Sequence, residues 1–196
     1  MDGVDPRGLT EWKDAFQKFL QCVTLRTGKR LVFKSPHNTG RIKLLHQMYP
    51  DARFIHVTRD PYTFFPSTLR MHRAFDFSQS LQKPPKNDGL EEQVLACGKQ
   101  MYDSYLDYRS ELPASQLVDV RYDELVSDPI GTMSRIYSQL ELGDVEPALD
   151  GFQKYLGPRK NYVTNRHQLP SYWQDRIRSE WSRYFEAFGY DPDDQV

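Results

Sequence analysis

Three short β-prone runs decide what this chain can fold into: residues 30–34 (RLVFK), 53–58 (RFIHVT) and 116–120 (QLVDV). Branched and aromatic side chains in runs of this length read as buried strands. The stretches between them are patterned as helices, so none of the three can pair with the next through a hairpin. Residues 39–48 carry Ile42, Leu45 and the Leu44/Met48 pair at helical spacing, and 90–112 reads as a long helix stopped by Pro113. Strand, turn and helix repeated in this order imply right-handed crossovers and a parallel sheet. Three strands make a thin sheet for an α/β domain.

The remaining segments read as helix or loop. Residues 9–24 form an amphipathic leading helix with Leu9, Trp12, Phe16, Phe19, Leu20 and Val23 on one face. Pro61 opens a further helix that runs to residues 69–72, with Pro66 kinking it or delaying its start. Residues 76–88 form a polar, proline-containing loop that reads as mobile or substrate-covering rather than as a linker. Another helix opens at Pro129 and runs through Leu140. The tail is helical, and its stripe of Trp173, Ile177, Trp181, Tyr184 and Phe188 is a packing face.

Composition narrows the function. The chain has 196 residues and reads as one domain over 1–196, with 26 basic against 27 acidic residues. A net charge of −1 excludes nucleic-acid binding driven by bulk positive charge. The two cysteines, Cys22 and Cys97, lie far apart without CxxC spacing, which leaves neither a disulfide framework nor a metal site. They read as small buried thiols in a reducing compartment. No apolar run approaches the roughly 20 residues of a membrane span. The opening residues lack a signal-peptide pattern, so a cytoplasmic location is expected.

In open parallel sheets, ligands bind at the carboxyl ends of the strands. Here those ends are Lys34-Ser35, Thr58-Arg59-Asp60 and Arg121-Tyr122. Each stands before a helix start, whose N–H groups attract anions. Taken singly, Lys34 could be a solvated strand end, Arg59 an ion pair with Asp60, and Ser67 an ordinary helix residue. Taken together they form a reasonable phosphate trap. Ser67 lies two helical turns beyond the turn that carries Arg59, so the two reach one oxyanion only across a bent connection, which Pro61 and Pro66 could supply.

Longer stretches carry a resemblance. LVFKSPHNTGRIKLLHQMYPDARFIHVTRDPYTFFPSTLR resembles the LxKSPxHxxRIxxLLxxFPDARFIHIxRDPYxxxxS pattern of the sulfotransferase superfamily, in its large bacterial-type branch. VRYDELVSDPIGTMSRIYSQLEL is similar to that family's VRYEDLxxDPxGTLxRIYxxLGL, and the tail from RKNYVTNRHQLP to FGYD is similar to its end. The likeness covers residues 29–191, with 1–28 as a leading helix. It implies a three-layer, P-loop-NTPase-like α/β fold with a parallel sheet flanked by helices. It also implies sulfuryl transfer from 3′-phosphoadenosine 5′-phosphosulfate, without a metal, to a hydroxyl or amine.

By match to the family pattern, Arg59 and Ser67 hold the 3′-phosphate. Lys34 lies near the transferring group, Tyr122 lies near the adenine, and Arg159 and Lys160 close over the nucleotide phosphate. His37 is the nearest candidate general base, one residue before the family's histidine position, which here is Asn38. His46, His56, His72 and His167 read as structural or solvated. The family begins with a strand and a loop similar to GxxRSGTT that wraps the 5′-phosphosulfate, and residues 1–29 hold neither. The sheet is therefore expected to lack its first strand, with an open edge that favours oligomers. Two readings stand: a transferase acting on a small-molecule or glycan acceptor, or a module that binds the nucleotide or a partner without transfer.

Overall fold

The computed structural model describes residues 5–82, 89–159 and 169–193. The leading helix α1 (Pro6–Thr27) starts on Asp5, whose carboxylate accepts from the Gly8 N–H, and ends on Gly28 in the left-handed conformation. Its apolar face is only partly covered. Phe16 and Phe19 meet Phe33 edge-on, and Phe16 meets Tyr49, while Phe19 stays 54% exposed.

The expected strand at 30–34 does not form: those residues carry no ladder, and Val32 is 89% exposed. The expectation fails here for a definite reason. β propensity describes a residue that suits a pleated, half-buried surface, and among the described residues no strand lies beside this one. A 3₁₀ segment, Pro36–Arg41, follows and leads into α2 (Ile42–Met48).

The sheet among the described residues has two parallel strands, β1 (Phe54–Thr58) and β2 (Leu117–Arg121), paired from Phe54↔Leu117 to Thr58↔Arg121. The crossover holds α3 (Pro61–Gln79) and α4 (Leu90–Arg109). Pro61 occupies the first turn of α3. Pro66 is carried inside the helix, which runs to Gln79, so it does not delay the start and part of the expected 76–88 loop is helical. After β2 come α5 (Tyr122–Ser127), α6 (Pro129–Gln139), α7 (Glu146–Leu156), a 3₁₀ turn at Gly157–Arg159, α8 (Ser171–Glu180) and α9 (Ser182–Phe188).

Strand alternation divides the core into two clusters. Phe54, His56 and Thr58 of β1 share a face with Leu117, Asp119 and Arg121 of β2. Against that face pack Tyr62, Phe65 and Leu69 of α3, Leu95, Tyr102 and Tyr105 of α4, and the stripe Ile177, Trp181, Tyr184 and Phe188. On the other face Val118 and Val120 meet Ile136 and Leu140, while Ile55 and Val57 of β1 stay 45% exposed. α4 approaches the tail closely because residue 98 is glycine. A Cβ there would come 2.4 Å from Cζ2 of Trp181, whose indole N–H donates to the Leu95 carbonyl at 3.0 Å.

Cys22 and Cys97 are unpaired but exposed, not buried as expected, since both fall on the solvent sides of their helices. No described helix is long and apolar enough to cross a membrane.

Candidate functional site

The parallel register brings the carboxyl ends of β1 and β2 side by side, and with them Arg59 and Tyr122. The Arg59 guanidinium lies over the Tyr122 ring, 4.8 Å from its centroid. It donates no hydrogen bond to a described residue. Its neighbour Asp60 caps α3, accepting from the Thr63 N–H at 2.9 Å. The backbone of Arg59 is fixed twice by one side chain: the Tyr184 hydroxyl accepts from its N–H at 3.0 Å and donates to its carbonyl at 2.9 Å.

Arg121, at the matching end of β2, has a different fate. It binds Asp123 through Nε and Nη2, donates to the carbonyls of Phe188 and Gly189, and lies 4.2 Å over the Tyr190 ring. Hydrogen bonding to Asp123 raises its pKa further above the ordinary arginine value. This arginine closes the tail onto the sheet. Of these two strand-end arginines, only Arg59 keeps its donors available among the described residues.

Ser67 is half-buried in α3, six residues beyond Pro61, about 9 Å along the axis at about 1.5 Å per residue. Cα–Cβ bonds in a helix tilt toward its N-terminus, the end of α3 that follows Arg59. The Ser67 hydroxyl makes no hydrogen bond to a described residue, whereas adjacent Thr68 donates to the Phe64 carbonyl at 2.9 Å. An anion at the start of α3 would meet the helix N-terminus beside a guanidinium that donates no hydrogen bond to a described residue.

Lys34 and His37 are both exposed, and no described residue forms a hydrogen bond or ion pair with either. The structure does not bring them into contact with Arg59 or Ser67. Arg159 ends the 3₁₀ turn after α7, but its side chain, Lys160 and His167 lie outside the described residues. His46 is structural, 2.9 Å from the Tyr108 hydroxyl.

Nothing in the local sequence pattern signals the polar network beneath the site. His56 Nδ1 lies 2.8 Å from Asp119 Oδ1, which also accepts from the Tyr105 hydroxyl, and Arg109 lies 3.0 Å from Asp119 Oδ2. Burial disfavours the Asp119 carboxylate, yet the hydrogen bonds from His56 and Tyr105 and the nearby Arg109 charge outweigh it, lowering its pKa. An ionised carboxylate only accepts, so His56 holds its proton on Nδ1. A cavity of about 380 Å³ opens beside this network, lined by Arg109, Asp119, Arg121, Glu124, Arg135 and Phe188. Each of its three arginines already has a carboxylate partner. Tyr184 and Asp119 escape a sequence reading because their partners lie 125 and 63 positions away in the chain.

Parallel strands joined by a helical crossover place the fold in the α/β class. The Sulfotransferase family model matches residues 7–147, and the chain belongs to that family. It is 34% identical over 191 residues to the omega-hydroxy-beta-dihydromenaquinone-9 sulfotransferase Stf3 of Mycobacterium bovis, and equally to that of Mycobacterium tuberculosis. In each case the match takes in 97% of this chain and 49% of the relative. The fold is similar to the crystal structure of sulfotransferase STF9 from Mycobacterium avium, with a TM-score of 0.73 at 19% identity, over 97% of this chain and 49% of that one. The chain thus spans about half the length of the relatives it matches. The expected sulfotransferase-type α/β fold is borne out, with a smaller sheet than expected.

Proposed function

We propose that this chain provides the 3′-phosphate side of a sulfotransferase site, and that it takes part in sulfuryl transfer from 3′-phosphoadenosine 5′-phosphosulfate to a hydroxyl or amine of a small molecule. The observation that carries this reading is the contrast between Arg59 and Arg121: both end parallel strands, and only Arg59 has its hydrogen-bond donors available among the described residues. A guanidinium offers a phosphate two parallel charge-assisted bonds. Its cation–π contact with Tyr122 orients it without using those donors. Ser67 adds a hydroxyl, and Tyr122 an aromatic surface where a nucleobase could stack.

In this reading the acceptor oxygen or nitrogen attacks sulfur as the bond from sulfur to the 5′-phosphate oxygen breaks, which leaves 3′,5′-adenosine bisphosphate. The acceptor proton passes to a base, for which His37 is the candidate. Lys34 places a compact positive charge near the leaving oxygen. In-line positioning and neutralisation of developing charge supply most of the acceleration in such transfers. Arg159 and Lys160 would close over the nucleotide. The acceptor class is supported by the relatives, whose name specifies a hydroxylated menaquinone.

Calorimetric titration of the chain with 3′,5′-adenosine bisphosphate and with adenosine tests the reading. Arg59→Ala should weaken the bisphosphate at least tenfold and leave adenosine within twofold; equal losses for both ligands would refute the assigned role. The exposure of Lys34 and His37 favours a second reading, a nucleotide-binding module that does not itself transfer. A transfer assay with labelled donor separates the two: turnover sensitive to Lys34→Ala supports the first, and binding without turnover supports the second.

A further inference from the structure

Arg59 lies between two regular elements, past the end of β1 and before the cap of α3. Its backbone N–H and carbonyl therefore belong to neither the ladder nor the helix. Groups of this kind need a partner when water is scarce, and a single oxygen serves both: the Tyr184 hydroxyl, 3.0 Å from the N–H and 2.9 Å from the carbonyl. Tyr184 is only 3% exposed. Its ring is held by Tyr102 at 4.3 Å and by Phe188 at 4.7 Å, and it stacks parallel to Tyr190 at 5.9 Å. The Tyr190 hydroxyl in turn lies 3.1 Å from the Thr58 hydroxyl. A guanidinium extends about 6 Å from its Cα, so a backbone rotation of about 10° moves it by about 1 Å, enough to spoil bidentate geometry.

We propose that Tyr184 is a positioning residue for the nucleotide's 3′-phosphate, fixing the backbone of Arg59 so that its guanidinium meets that phosphate squarely. The inference rests on the 3′-phosphate reading above and extends it to a residue buried on the last described helix. Tyr190, which bonds Thr58 and not Arg59, provides a matched control in the same tyrosine pair.

The test is titration calorimetry of the full chain with 3′,5′-adenosine bisphosphate and adenosine 5′-monophosphate, for the parent, Tyr184→Phe, Tyr190→Phe and Arg59→Ala. The ratio of the two affinities reports 3′-phosphate selectivity, which general loosening of the fold would not change. Tyr184→Phe should lower the ratio about tenfold, entirely through the bisphosphate, while Tyr190→Phe leaves it within twofold. An unchanged ratio in Tyr184→Phe, beside a collapsed ratio in Arg59→Ala, overturns the role of Tyr184 and leaves the phosphate reading intact. An unchanged ratio in Arg59→Ala overturns the phosphate reading, and this inference with it. Amide hydrogen exchange in the parent chain gives a readout independent of variant folding. The Arg59 amide should exchange more slowly with the bisphosphate bound than with the monophosphate, and equal rates would overturn the proposal.

Discussion

Replacing Asp119 with asparagine tests whether the network under the sheet is held by charge or only by shape. The carboxylate takes three contacts: His56 at 2.8 Å, the Tyr105 hydroxyl, and Arg109 at 3.0 Å. In Asp119→Asn the side-chain amide keeps one acceptor oxygen for His56 and Tyr105, but each bond changes from charge-assisted to neutral, a loss of about 1 kcal/mol apiece. The amide nitrogen would face the Arg109 guanidinium, donor against donor. Because Arg109 is one-third exposed, water recovers part of that loss, which leaves about 1 kcal/mol. The total is about 3 kcal/mol near neutral pH, a fall of about 1.5 M in the urea midpoint for a slope of about 2 kcal/mol per M. Trp181, 3% exposed, gives a fluorescence signal for the buried core. The sign of the pH dependence follows from the lowered Asp119 pKa. Stabilisation is complete above the ordinary carboxylate value of about 4 and is lost as pH falls through the lower folded value. The gap between parent and variant should therefore be wide at pH 7 and close below about pH 4. A gap under about 1 kcal/mol at pH 7, or one equally wide at pH 3, would refute the charge argument.

Gly98→Ala should destabilise the chain by about 1–2 kcal/mol, because overpacking against the Trp181 ring outweighs the gain in helix propensity; a raised midpoint of unfolding would show that the ring yields. Tyr49→Phe should be neutral or stabilising by up to about 1 kcal/mol, since its hydroxyl is buried without a hydrogen-bond partner among the described residues. Thermal unfolding decides it, and a clear loss would reveal a partner for that hydroxyl. Arg121→Ala should destabilise the chain by about 1–3 kcal/mol, read from its unfolding midpoint, through loss of its bonds to Asp123, Phe188 and Gly189. Its ratio of bisphosphate to monophosphate affinity should stay unchanged, and a fall in that ratio would give Arg121 a place in the ligand site.

The helices were legible in the sequence because their signals are local. The run read as 90–112 forms Leu90–Arg109, and the tail stripe lies in the core although the helix breaks at Trp181. The strands were legible only where a partner exists. RFIHVT and QLVDV pair with each other in register, whereas RLVFK has a similar character and no ladder. Its residues describe a surface suited to pairing, and pairing depends on a second segment that a window of five residues does not contain.

The same limit applies to the site, where it separates two arginines that the sequence treats alike. Arg59 follows β1, Arg121 ends β2, and each precedes a helix. The tail decides between them. Gly189, Phe188 and Tyr190 engage the Arg121 side chain, while Tyr184 takes hold of the Arg59 backbone and no described residue accepts a hydrogen bond from the Arg59 guanidinium. A strand-end arginine is therefore only a candidate anion ligand until its long-range partners are known. The residues that hold the Arg121 side chain and the Arg59 backbone come from α9 and the turn after it, more than sixty positions beyond β2. On the proposed 3′-phosphate reading, α9 acts through the backbone of Arg59, so Tyr184→Phe should weaken the bisphosphate while leaving adenosine 5′-monophosphate affinity unchanged.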